Sequence, residues 1–184
     1  SPTADGWVTS GLPVVAGLMY RDSVEIDEQK YPILVKESRI LVDSDGAGTY
    51  WCAPSGRVVY GPTTREMTVS YASDGVDNPP RGVRGGHSGA AQYIGKIGVD
   101  GEESTLPSSG NVAVLPGEFI VNPTNGGGGY GDPAERDPRR VARDVEEGFV
   151  SVERAREVYR VAGALNRDGS FEIDEAQTSA LRGA

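Results

Sequence analysis

The hydrophobic rhythm of this chain of 184 residues changes near Gly131. Before that point, apolar side chains recur at every second position in short runs, the period of a half-buried strand. Met67, Val69 and Tyr71 alternate with Thr68 and Ser70. Residues 57–60, 93–99, 111–115 and 118–121 form further candidate strands, and 12–20 and 31–42 longer ones, the second broken in its middle. Turn signals separate them: Asp45-Gly46, Pro54-Ser55-Gly56, Asp74-Gly75, Asp100-Gly101 and Pro116-Gly117. Gly and Asp tolerate the positive φ that tight hairpins require. Beyond Gly131 the spacing becomes helical. Asp137 is placed to cap a helix, with Pro138 at its first position and Gly148 at its end. Val141 and Val145 lie one turn apart on it. Ser151 caps a second helix, predicted to turn Ala155, Val158 and Ala162 inward and to stop at Gly163. Asp174 and Gln177 make a capping-box pattern ahead of Leu181.

Composition sharpens the division. Residues 1–131 hold 22 of the 26 glycines, whereas 132–184 hold 21 charged residues in 53 positions. The expected fold is mainly β, antiparallel and sandwich- or barrel-like, with a short α-helical C-terminal tail, and α+β overall. Two units are expected: a β-rich, glycine-rich domain over 1–131, and a charged helical tail over 132–184 packed on it. A net charge of −9 argues against sequence-independent nucleic-acid binding, which requires Lys and Arg against phosphates. No apolar run approaches the ~20 residues of a membrane helix. The first basic residue is Arg21, so the expectation is a chain without a signal peptide. Cys52 and His87 are the sole residues of their kinds, which excludes an internal disulfide and a structural zinc cluster within the chain. A reducing, cytoplasmic setting is the simplest expectation.

Three segments suggest chemistry. Gly126, Gly127, Gly128 and Gly129, followed by Tyr130, Gly131 and Asp132, look like a phosphate cradle. The string lacks Gly-Lys-Ser/Thr and does not open a helix in a βαβ unit. A tight crossing of backbone over backbone is therefore the favoured reading. Residues 166–175 resemble the middle of a calcium loop, but the first ligand position falls on Ala164, which offers no side-chain oxygen. An Asp168-Gly169 hairpin, with Phe171 and Ile173 inward, is favoured instead. His87, in the loop 84–89, is a candidate base or shared metal ligand, set against a plain loop histidine bonded to backbone. Cys52 reads as a small buried hydrophobe.

A combination of segments carries more. Residues 24–33, 43–48 (Asp-Ser-Asp-Gly-Ala-Gly) and 81–86 (Arg-Gly-Val-Arg-Gly-Gly), and above all 115–118 with 125–138, resemble the hydantoinase B/oxoprolinase family. The Gly-Gly-Gly-Gly-Tyr-Gly-Asp-Pro string of 126–133, continued through 141–145 and 148–159, is the most specific part. The resemblance runs from about Gly17 to Leu181 and is confined to the C-terminal third of a usual member. It implies one component of ATP-dependent enzymes that open cyclic amides such as hydantoins, oxoproline and lactams, or that carboxylate ketones such as acetone and acetophenone. It also implies partners: a hydantoinase A-type subunit that binds ATP and phosphorylates the substrate, and the N-terminal part of hydantoinase B as a separate chain. Mg-ATP and a divalent metal are expected on those partner chains and no cofactor on this one. No catalytic residue and no metal ligand is therefore assigned here. Substrate-channel or interface candidates are His87, Gly126, Gly127, Gly128, Gly129, Tyr130 and Asp132.

The expected function is that of a small subunit or C-terminal fragment of a cyclic-amide hydrolase, inactive alone. The alternatives are a ketone carboxylase subunit, a non-catalytic scaffold, and a free-standing β-sandwich binding module. Ser1 before Pro2 is compatible with a separate gene product that has lost its initiator Met; a fragment is equally compatible. The apolar stretch 12–20 is expected to face the missing half and to make the bare chain prone to aggregate.

Overall fold

The computed structural model describes residues 4–6 and 23–183; the candidate strand at 12–20 lies outside them. Among the described residues the first regular element is helix α1 (Val24–Lys30), which the strand periodicity did not foretell. It follows from its ends. Ser23 Oγ accepts from Ile26 N, acids occupy the first turn and Lys30 the last, so the charges oppose the helix dipole.

Seven strands follow: β1 (Ile33–Ile40), β2 (Gly56–Pro62), β3 (Met67–Ala72), β4 (Gly95–Ile97), β5 (Glu103–Thr105), β6 (Ser109–Val114) and β7 (Phe119–Pro123). Five make an open antiparallel sheet in the order β1-β2-β7-β4-β5, and β3 pairs with β6 in a separate ribbon. The 31–42 run is a single strand, not two: the register slips between Val35 and Glu37, a bulge that leaves Lys36 without a cross-strand partner. Its ammonium lies 4.9 Å over the Phe119 ring. The Met67/Val69/Tyr71 alternation holds, with those three half-buried and Thr68, Ser70 and Ala72 exposed. Edge strand β5 is exposed throughout and has no apolar alternation for a sequence to reveal. The ribbon is tied to the sheet by Lys96 Nζ, which donates to Ala113 O at 3.0 Å.

The tail comprises α2 (Pro138–Glu146), α3 (Val152–Glu157), a hairpin of β8 (Gly163–Leu165) and β9 (Phe171–Ile173), and α4 (Glu175–Arg182). The expected caps are present. Asp137 Oδ1 accepts from Arg139 N at 2.8 Å, Ser151 Oγ from Arg154 N at 3.0 Å, and Asp174 Oδ1 from Gln177 N at 2.9 Å. Gly148, at φ +74°, turns the chain out of α2. The second helix is shorter than its periodicity implied. It ends at Glu157, Arg160 takes a left-handed φ of +55°, and Ala162 is buried outside any helix. Asp168-Gly169 forms the expected hairpin turn, with Phe171 buried and Ile173 half-buried.

The main apolar cluster unites the tail with one residue from the glycine-rich region. Val141, Ala142, Val145, Val150, Ala155, Tyr159, Val161 and Phe171 pack with Ala47. Each of the larger side chains gains roughly 1.5–3 kcal/mol by burial, so the tail is held chiefly here. No helix among the described residues is long and apolar enough to cross a membrane.

Candidate functional site

Segments 44–50, 82–90 and 126–131 run together, hydrogen-bonded outside any regular sheet, with 44–48 buried and most of 82–90 exposed. Gly46 N donates to Gly127 O (2.7 Å), His87 N to Ala47 O (2.8 Å), Gly129 N to His87 O (2.9 Å) and Val83 N to Gly129 O (2.9 Å). The glycine string is required by proximity. A Cβ on Gly126, Gly128 or Gly129 would fall inside 3 Å of Ser44 O, Arg81 O or Ala47 O respectively, all backbone atoms that cannot rotate away. A Cβ on Gly127 would meet Cys52 Sγ. Only hydrogen can stand at these four positions.

The same bonds decide the phosphate question. The amides of Gly126, Gly127, Gly129, Tyr130 and Gly131 donate to Ala90 O, Ala53 O, His87 O, Tyr50 O and Val83 O. They are committed to the protein and do not fit a nucleotide's phosphates. Among the described residues no three His, Cys, Asp or Glu side chains converge where they could hold a metal ion. The 166–175 loop has its acid engaged locally: Asp168 Oδ1 accepts from Ser170 N and Ser170 Oγ.

His87 is exposed; its backbone N–H and C=O both bridge the crossing, and its imidazole makes no hydrogen bond to the described residues. Tyr130 is half-buried and exchanges both backbone bonds with Tyr50. Asp132 is exposed, and its Oδ1 accepts from Ala134 N at 2.8 Å. Cys52 is free and half-buried, with Sγ between the positions where Cβ atoms of Gly6 and Gly127 would stand. Sequence reasoning thus named three side chains beside the crossing and the four glycines inside it.

It missed the buried charges that brace the crossing from behind. Residues 44–48 are all buried. Asp45 is 2% exposed; its Oδ2 accepts from Tyr159 Oη at 2.9 Å and its carbonyl from Arg154 Nη2 at 2.7 Å. Burial pushes the Asp45 carboxyl up from its ordinary range, against the pull of Arg154 and the Tyr159 hydroxyl. Burial likewise raises the Tyr159 phenol, reinforced by the Asp45 carboxylate. Asp43 Oδ1 accepts from Ser151 N at 2.8 Å.

A second network is centred on Arg136, 1% exposed. Its guanidinium donates to Asp144 Oδ2 (2.9 Å), Asp5 Oδ1 (2.7 Å) and Thr49 O (3.3 Å), and stacks 5.9 Å over Trp51. Trp51 Nε1 donates to Asp144 Oδ1 at 3.2 Å. Burial pushes the Asp144 carboxyl up to about 6 despite Arg136. A polar, glycine-rich string shows no hydrophobic periodicity, so nothing in it betrays that 44–48 is interior. The one available signal was the Arg136-Asp137-Pro138 run ahead of a helix carrying an aspartate among its valines.

Away from the crossing, Tyr31, Pro32, Ile33, Tyr60, Pro62, Arg65, Glu66 and Met67 line an open apolar groove of about 340 Å³. Burial raises the Tyr60 phenol there.

A family model described as Hydantoinase B/oxoprolinase matches residues 1–133. The beta subunit of caprolactamase from Pseudomonas jessenii is 34% identical over 98% of this chain and 31% of its own length. The alpha subunit of acetone carboxylase from Xanthobacter autotrophicus is 27% identical over 86% of this chain and 25% of its own. The crystal structure of ATP-dependent caprolactamase from Pseudomonas jessenii superimposes with a TM-score of 0.70 at 29% identity, over 88% of this chain and 28% of that one. The chain therefore spans less than a third of the length of these relatives.

Proposed function

The chain belongs to the hydantoinase B/oxoprolinase family, and on that premise we propose that it is a non-autonomous component of an ATP-dependent enzyme that opens a cyclic amide. The observation that carries the reading is the 34% identity to a caprolactamase beta subunit along nearly the whole chain. In this reading Mg-ATP and the divalent metal belong to partner chains, one a hydantoinase A-type subunit and one supplying the N-terminal part of hydantoinase B. This chain contributes the braced glycine crossing. Gly126, Gly127, Gly128 and Gly129 act by close packing, while His87, Tyr130 and Asp132 face a substrate channel or a partner surface. The setting is cytoplasmic.

A second reading, subunit of a ketone carboxylase, is favoured by the similarity to acetone carboxylase alpha subunit. A pure scaffold is favoured by the commitment of the glycine amides to the protein. Expressing the chain alone, with the missing part of the family fold, and with the ATP-binding partner as well separates these. ATP hydrolysis and lactam opening are expected only in the full assembly. Carboxylation without ring opening selects the second reading. Turnover by the single chain, or a stable monomer indifferent to both partners, overturns the proposal.

A further inference from the structure

At the exposed end of the crossing, three strand-like segments place Val83, Tyr130 and Tyr50 side by side. Tyr50 N donates to Tyr130 O (3.1 Å) and Tyr130 N to Tyr50 O (3.0 Å), while Val83 bridges Tyr130 on its other side. Directly paired residues project to the same face. An arginine lies over each ring: Arg84 is 5.6 Å from the Tyr130 centroid, and Arg140 5.7 Å from that of Tyr50. Val83 is 58% exposed at the edge of this platform.

We propose that Arg84, stacked on Tyr130 beside the Arg140–Tyr50 pair, forms a recognition site for an oxyanion, either a carboxylate or a phosphate. Four observations support it. Arg84 adopts a left-handed φ of +53° beside Gly85 at +92°. A long side chain takes that conformation only where the surroundings enforce it, a condition that concentrates at binding sites. No carboxylate among the described residues pairs with Arg84. The nearby acids are already engaged: Asp132 with Ala134 N, Glu135 with Thr49 Oγ1, and Asp5 with Arg136 and Arg140. Stacking leaves the edge of the Arg84 guanidinium, with its parallel N–H groups, free for a planar oxyanion, whereas Arg140 is held by Asp5. Finally, the backbone beneath the platform is closely packed: a Cβ on Gly48 or Gly86 would fall within 3 Å of Tyr130 N.

This deepens the proposed function and rests on it for the identity of the ligand. Opening an amide ring with water leaves a carboxylate and an amine, and carboxylating a ketone also leaves a carboxylate. ATP-driven activation puts a phosphoryl group on the substrate. Either would present an oxyanion to this platform.

The test titrates the ¹⁵N-labelled chain with inorganic phosphate and, separately, with acetate, at ionic strength held constant by chloride. The labelled chain is joined by unlabelled partner chains where it needs them for solubility. Saturable shifts of the Val83, Arg84 and Gly85 amides and of Arg84 Nε are expected. Arg84→Gln should weaken binding about tenfold or more, by loss of the charge-assisted pair. Arg84→Gly should abolish binding while melting no lower than the parent, since glycine accepts the left-handed φ. Saturation by phosphate alone assigns the ligand as phosphoryl, by acetate alone as carboxylate, and by both as their shared chemistry. Shifts no different from those in chloride, or Arg84→Gln binding as well as the parent, overturn the assignment. Saturable binding in an assembly that turns over no lactam or ketone would sink the proposed function and leave this site standing; the reverse result would sink the site alone.

Discussion

Replacing Gly129 by alanine tests whether contact alone holds the crossing together. The new methyl group would lie within 3 Å of Ala47 O, Gly46 O and Ala47 C. All three are backbone, so no side chain can swing aside and segment 127–131 must shift. Two bonds shift with it: Gly129 N to His87 O and Val83 N to Gly129 O, each 2.9 Å. Each is worth about 1 kcal/mol net, and overpacking a closed site costs about 1–3 kcal/mol. The expected loss is about 3–5 kcal/mol, a large part of the 5–15 kcal/mol of a typical domain. Gly56→Ala is the control. It lies in β2 with only Thr124 Oγ1 within 4 Å, at 3.9 Å, and should fall within about 1 kcal/mol of the parent or slightly above it. Urea denaturation followed by tryptophan fluorescence reads both, since Trp51 lies beside the crossing. If Gly129→Ala were as stable as Gly56→Ala, the claim that proximity requires these glycines would be wrong. Retained stability with lost turnover in the assembled enzyme would move the glycines from packing to a substrate channel.

Asp137→Ala should lose about 1 kcal/mol, the usual worth of an N-cap, because Asp137 Oδ1 accepts from Arg139 N; an unmoved thermal melt would remove the cap from the account. The raised Asp144 carboxyl binds its proton more tightly in the folded chain than in the unfolded one, so its contribution to stability is full below the ordinary 3.8 and is lost as pH rises through about 6. Asp5 keeps Arg136 paired when Asp144 is protonated. Unfolding free energies measured across that window should fall with rising pH in the parent and less so in Asp144→Asn; a steeper fall in the variant contradicts the sign. Calcium at millimolar concentration should not shift the melting temperature, since Ala164 supplies no ligand and Asp168 is occupied by Ser170; a rise reversed by a chelator would show that loop to be a genuine site.

What could be read from the sequence divides along a physical line. The β3 alternation, the Asp100-Gly101 and Asp168-Gly169 turns, and the caps at Asp137, Ser151 and Asp174 rest on local rules, and each stands in the fold. The glycine string was also legible as close packing, because four adjacent residues without Cβ have few other uses. The early end of α3 was not, since a left-handed Arg160 has no residue-type signature. Nor was the burial of Asp45, Arg136 and Asp144. Charged residues are read as surface by default; Arg136 and Asp144 pair 8 positions apart, but the other partners of these three residues lie 114, 131 and 93 positions away in sequence, on Tyr159, Asp5 and Trp51. Tyr50 and Arg140 escaped notice for the same reason, since only the fold brings them to Arg84 and Tyr130.

Those long-range bonds also bear on how the tail relates to the glycine-rich region. If the tail were a helical cover held by apolar contact alone, its boundary with residues 43–48 would be greasy. Instead Ser151 N, Arg154 and Tyr159 Oη reach into that segment, and Arg136 and Asp144 hold Asp5, Thr49 and Trp51. Buried charges of this kind are seldom the most stabilising choice, because desolvation offsets much of their attraction. What they do supply is geometry, since each bond has a direction where an apolar contact has none. Segment 44–48 has only three short side chains, Ser44, Asp45 and Ala47, to locate it against 126–131. The tail's charges supply that location, and the glycines then permit the approach. On this argument the tail and the glycine string are parts of one device, and the platform of Tyr50 and Tyr130 is positioned by both.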